Sequence, residues 1–265
     1  MKLIISPAKQ MRRDTDTLPP AGLPALLDQT RILAERLRKL EYPALKKLLA
    51  CSDALAGQAF RWYQSMELEQ ADTPAILAYD GIQYKYMAPQ VFTEQEYAYV
   101  QAHLRILSGF YGLLRPFDAV TPYRLEMQAR FRTDLCRDLY DFWGSAIYRL
   151  LTAEDRVILN LASQEYSRAI EPHLTGEDTF VTCVFGEEQE GRVVEKGVYV
   201  KMARGEMVRF LAETGGETLE DVKGFHRLGF TYREELSDAR TLVFVGQPPR
   251  RKRSAGKRTH RKKEG

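Results

Sequence analysis

A chain of 265 residues with 44% hydrophobic and 28% charged side chains has the composition of a folded protein that buries a core, which excludes a fibrous or wholly disordered one. No apolar run approaches the ~20 residues a membrane helix needs, and Ser6-Pro7 cuts short the apolar start Leu3-Ile4-Ile5, so the sequence points to a cytoplasmic protein without a signal peptide. The net charge of +3 hides a partition: residues 250–265 hold nine Lys or Arg against Glu264 alone, a local +8, which leaves the preceding body at −5.

Lys2 to Ser6 reads as a short buried strand, and Gln10 to Pro20 as a polar loop ending in prolines. Pro24 to Leu40 carries Leu26, Leu27, Leu33, Leu37 and Leu40 at helical spacing, predicting an amphipathic helix. Pro43 suits the first turn of a second helix, and Ser52 or Asp53 opens a third that runs to about Met66. Ala75 to Tyr79 is a strand candidate, and Thr93 with Glu96 forms a capping box for a helix to about His103. Leu104 to Ser108 reads as a strand, Leu139 to Thr152 as a helix, and Val157 to Leu161 as a strand with a helix starting at Ser163. Thr179–Phe185 and Val193–Val200 read as paired strands joined by the turn 186–191. Lys201–Thr214 then reads as a helix, and Gly229–Tyr232 with Thr241–Val245 as a last strand pair. This mixture predicts an α+β or mixed α/β fold in one domain, residues 1–245. Residues 246–265, like-charged and almost without apolar side chains, are expected to be a disordered basic tail adding non-specific affinity for polyanions.

Three places carry functional chemistry. Leu107 to Met127 packs Gly109 and Gly112 around Phe110-Tyr111 and sets Arg115 and Arg124 beside prolines, a pattern that fixes guanidinium groups near aromatic rings and suits phosphate or a base. An ordinary tight turn with two surface arginines has the same pattern. Asn160, Ser163 and Glu165 fall where a strand hands over to a helix, a place that favours anions, although Ser163 also fits a plain N-cap. Lys201 and Arg204 share one helix face, with small Ala203 and Gly205 beside them and Arg209 on a neighbouring face. Ser6-Pro7-Ala8-Lys9 has the Ser-x-x-Lys spacing of acyl-serine enzymes but lacks their Lys-Thr-Gly strand, so Lys9 reads as one more cation. Cys51, Cys136, Cys183 and the four histidines form no ligand cluster, and no P-loop, zinc-protease or nucleophile-elbow motif is present, so neither a metal nor a cofactor is expected. Trp143 with Phe142, and Tyr84 with Tyr86, could stack on bases or simply fill the core.

Five stretches in order resemble the YaaA-like peroxide stress family: Ile4–Lys9, Leu107–Met127, Leu139–Ile147, Leu159–Ala169 and Lys201–Phe210. The resemblance implies the family's cantaloupe-like single-domain fold with a helix-hairpin-helix element, which we place near Ser108–Leu114, and a basic cleft that binds DNA. It also implies protection against hydrogen peroxide and help in keeping intracellular free iron low. Around Gly81 the chain departs from many relatives, which carry an acidic residue after the glycine; here Asp80 precedes it. On this reading Lys9, Gly109, Tyr111, Gly112, Arg115, Arg124, Asn160, Ser163, Lys201 and Arg204 contact nucleic acid or phosphate. The alternative is an enzyme acting on a nucleobase or nucleotide in the same cleft, with Glu165 or Glu126 as general acid or base.

Overall fold

Leu3, Ile4 and Ile5 are fully buried, so the first strand needs partners on both edges and cover on both faces. The computed structural model describes residues 1–134 and 136–246 and supplies both. Its main sheet comprises β1 (Lys2–Ile5), β2 (Leu104–Ser108), β3 (Gly112–Leu114), β4 (Val157–Leu161), β5 (Thr179–Gln189), β6 (Arg192–Val194), β7 (Phe230–Tyr232) and β8 (Thr241–Gly246). The order is β7-β8-β5-β4-β1-β2-β3, with β6 paired to β5 off that path. The centre, from β8 to β2, is parallel, and the antiparallel strands β7, β3 and β6 sit at its margins. This is a mixed α/β architecture around one continuous core.

Helices begin where local chemistry permits. The first, α1 (Leu27–Arg38), buries Leu27, Leu33 and Leu37. Pro43 lies in the first turn of α2 (Tyr42–Leu49), where its missing N–H costs nothing, and Ser52 stands in extended backbone at the N-cap position of α3 (Asp53–Ser65), without a side-chain capping bond. After α4 (Ile82–Met87) comes α5 (Glu94–His103), whose capping box is complete: Thr93 N–H donates to Glu96 Oε2 at 2.6 Å, and Glu96 N–H to Thr93 Oγ1 at 3.3 Å. Gly144, at φ 47°, splits the expected Leu139–Thr152 helix into α6 (Leu139–Trp143) and α7 (Ala146–Thr152). The longest helix, α8 (Gly197–Thr214), starts earlier than its sequence pattern implies and takes over residues 197–200 from the expected strand.

Other expectations give way to tertiary context. Ala75–Ala78 is a helical turn, not a strand; all four residues are buried, and a short apolar run does not distinguish the two. Glu190 and Gly191 both take positive φ, so the β5–β6 hairpin turns there and β5 runs on to Gln189. Gly246 ends β8 and belongs to the body; the rest of the basic tail lies outside the described residues. The segment Ser108–Leu114 joins two strands, so no helix-hairpin-helix occurs there. Phe110 and Tyr111 are fully buried, and the Ser108 hydroxyl accepts both their N–H groups at 3.1 and 2.9 Å, leaving neither for a phosphate. Two helices joined by a three-residue turn occur instead at α2 and α3, linked through left-handed Ala50, Cys51 and Ser52.

Candidate functional site

From β1 the chain crosses to β2 on one side and, after the β2–β3 hairpin, returns as β4 on the other side of β1. Open parallel sheets bind ligands at such a reversal, in the crevice beyond the carboxyl ends of the strands. A cavity of about 430 Å³ opens there. Its walls are the loop after β1 (Ser6–Lys9), the start of α4 with Asp80 and Gly81, the segment Tyr123–Glu126, the turn after β4, and Lys201 and Arg204 of α8.

Specific contacts hold these walls together. Ser6 Oγ accepts the Ser163 N–H at 2.8 Å, tying the loops after β1 and β4, and the Tyr84 hydroxyl donates to Ser6 O at 3.1 Å. A Cβ on Gly205 would collide with the Gln83 carbonyl oxygen, so α8 crosses α4 backbone against backbone and brings Arg204 beside Gln83. Tyr63 donates to Arg124 O at 2.7 Å, which fixes the backbone that carries this arginine.

Charge in the cavity is incompletely paired. Lys9 Nζ lies 2.7 Å from Glu126, Arg124 Nη2 lies 3.3 Å from the same carboxylate, and Lys85 pairs with Asp80 at 3.2 Å. Lys201 has no ion pair among the described residues. Three buried side-chain atoms lack any hydrogen-bond partner among the described residues: Gln83 Nε2, Arg124 Nε and Arg204 Nε. All three are donors, and all three residues line this one cavity. Burial pushes the Arg204 guanidinium below the usual arginine range and raises the Glu165 carboxyl above the usual carboxylate range, although the Gln128 N–H donates to Glu165 Oε1 at 3.2 Å.

The cavity continues into a longer groove. A void of about 820 Å³ shares Lys9, Arg124 and Glu126 with it and is lined by Lys47, the α2–α3 turn and Arg130. Beyond Arg130, a further void of about 450 Å³ carries Arg132, Arg137 and Arg168. Ten basic side chains (Lys9, Lys47, Lys85, Arg124, Arg130, Arg132, Arg137, Arg168, Lys201, Arg204) thus face four acidic ones (Asp80, Glu126, Asp138, Glu165). On a body that is net acidic, this is a concentrated positive strip.

The model of the peroxide stress protein YaaA family matches residues 1–236 of this chain. The chain belongs to the YaaA family of peroxide stress proteins. Among its relatives, a UPF0246 protein of Desulfitobacterium hafniense strain Y51 is 60% identical over 245 residues, 92% of this chain and 98% of the relative. UPF0246 proteins of Lachnoclostridium phytofermentans and Pediococcus pentosaceus are 51% and 47% identical over the same length, covering 96% and 98% of those proteins.

The YaaA fold brings Lys9, Arg124, Ser163, Lys201 and Arg204 together, with Glu126 and Glu165 among them. It places other expected residues elsewhere. Arg115 sits at the opposite end of the sheet, 3.6 Å from Glu154, because the β2–β3 hairpin reverses the chain before reaching it. Asn160 is buried within β4, its Oδ1 accepting the Ala162 N–H at 2.9 Å and its Nδ2 donating to Thr182 at 3.2 Å. Gly109, Tyr111 and Gly112 pack the core, where Trp143 Nε1 donates to Gly109 O at 3.0 Å. Gln83, Tyr123 and Tyr166, which no motif in the sequence singles out, also line the cavity. The available signal is Gln83 itself, an amide two residues after Gly81 in the first turn of α4. Among the described residues, no helix is long and apolar enough to cross a membrane, and no three His, Cys, Asp or Glu side chains gather to hold a metal.

Proposed function

We propose that this YaaA protein binds DNA along the positive groove and thereby serves the defence against hydrogen peroxide. The observation that carries this is the ten-to-four excess of basic over acidic side chains along one continuous groove of an acidic body. Lys47, Arg130, Arg132 and Lys201 form no ion pair among the described residues, so their charge is available to phosphates. The turn between α2 and α3 borders the groove, with Ser52 lining it alongside Lys9 and Arg124, which supports a backbone approach to phosphates there.

The test compares duplex and bulged DNA binding at several salt concentrations for the full chain and for a chain ending at Gly246. Retained, salt-dependent binding by the shorter chain is expected. If removing residues 247–265 abolishes binding, the tail alone carries the affinity and the groove reading fails.

A further inference from the structure

Burying a donor without an acceptor destabilises a fold by roughly 1–3 kcal/mol per group, and more for a charged one. The described residues leave only Gln83 Nε2, Arg124 Nε and Arg204 Nε in that condition, and all belong to one wall system of about 430 Å³. Gln83 is 7% exposed and the Arg124 side chain 10% exposed, so solvent satisfies neither well. Such a cluster of orphaned donors has the chemistry of a receptor for oxygen acceptors.

We propose that this cavity receives a single nucleoside monophosphate unit, its phosphate held by Arg204, Lys201 and Arg124 and its base lying toward Glu165 between tyrosine walls. The volume lies within the roughly 300–1,000 Å³ of small-molecule sites and exceeds what an inorganic anion alone would fill. Both donors and acceptors line it: Gln83, Arg124, Lys201 and Arg204 offer N–H groups, while Glu165 and Glu126, the latter paired with Lys9 and Arg124, offer oxygens to the N–H edge of a base. Tyr84, Tyr123 and Tyr166 also line it, the aromatic residues that a base could lie against. Because the cavity shares Lys9, Arg124 and Glu126 with the longer groove, the unit can come from free solution or be turned out of a strand lying in that groove. This second source rests on the DNA-binding reading; the first does not.

The experiment uses the full chain. Its first arm measures calorimetric binding of the four deoxynucleoside 5′-monophosphates, the matching nucleosides and inorganic phosphate. Its second arm follows the fluorescence of 2-aminopurine placed at a one-nucleotide bulge in duplex DNA, which rises when the base leaves the stack. At least one monophosphate is expected to bind ten-fold or more tightly than both its nucleoside and phosphate. Arg204→Met and Gln83→Leu should each weaken that binding at least ten-fold without lowering the thermal midpoint, since each removes an unpartnered donor. Should Arg204→Met fail to fold, Gln83→Leu carries the same comparison. Binding of free monophosphate without a 2-aminopurine response supports the solution source, and a response lost in both variants supports the strand source. Monophosphates that bind no better than phosphate, together with an unresponsive bulge, overturn the proposal while leaving groove binding of DNA intact. Variants that bind as the parent does also overturn it.

Discussion

The two ends of the parallel strands use the same kinds of side chain in opposite ways. At the amino end, Glu154 gathers Lys2 at 2.9 Å, Arg105 and Arg115, and the terminal amine of Met1 meets Asp155 at 2.6 Å. Arg105 is 4% exposed, yet Glu154 and the Gln101 and Leu104 carbonyl oxygens accept from its guanidinium, so its burial is compensated. At the carboxyl end, Arg124, Arg204 and Gln83 keep donors with nothing to donate to. Folding alone favours the first arrangement; the second leaves donors that a bound oxygen acceptor would satisfy. Unpaired donors, rather than charge itself, distinguish the carboxyl end from the amino end.

The sharpest way to break this comparison is to unpair the closed end. Glu154→Ala strands the buried Arg105 and should cost about 3–5 kcal/mol, read as a lower urea midpoint with an unchanged slope, while DNA affinity of the folded fraction stays the same. Asp118 sharpens it, since this carboxyl lies near Arg105, Arg115 and Glu154 and burial pushes it up to about 6. Its folded value lies above the ordinary 3.8, so the native state holds the proton more tightly. That contribution is full below about pH 4 and is lost as pH rises through about 6, a change of at most about 3 kcal/mol. Asp118→Asn keeps an acceptor for the Arg115 N–H and should therefore raise the melting midpoint relative to the parent at pH 7.5 but not at pH 4. At the open end, Gly205→Ala forces α8 off α4 and should cost about 1–3 kcal/mol by overpacking, with loss of nucleotide and DNA binding together. The smallest effect belongs to the groove surface: Arg132→Ala should leave stability within about 0.5 kcal/mol and lower the salt slope of DNA binding by about 0.9.

What the sequence reveals follows how locally each feature is determined. Pro43, Ser52 and the Thr93–Glu96 box act within one helical turn, so those helix starts were legible, as were β1 and β4 from their apolar runs. Ala75–Ala78 was not, because burial on every side erases the periodicity that separates helix from strand. The cations Lys9, Arg124, Lys201 and Arg204 were legible from their turns and shared helix face. Arg115 was read into their company because sequence does not show that a hairpin reverses direction and delivers it to the other end of the sheet. Gln83 was silent for a similar reason: its orphaned amide is made by the close crossing at Gly205, a contact between segments more than a hundred residues apart.

The central claim is tested most directly by neutralising the two ends in parallel in the full chain and in the chain ending at Gly246. Arg130→Ala with Arg132→Ala removes unpaired groove cations, and Arg115→Ala removes a cation already paired with Glu154. The groove pair is expected to lower the slope of log affinity against log salt by about 1.8 in both chains, and Arg115→Ala to leave it unchanged. Equal loss from both substitutions, or loss from neither, would contradict it.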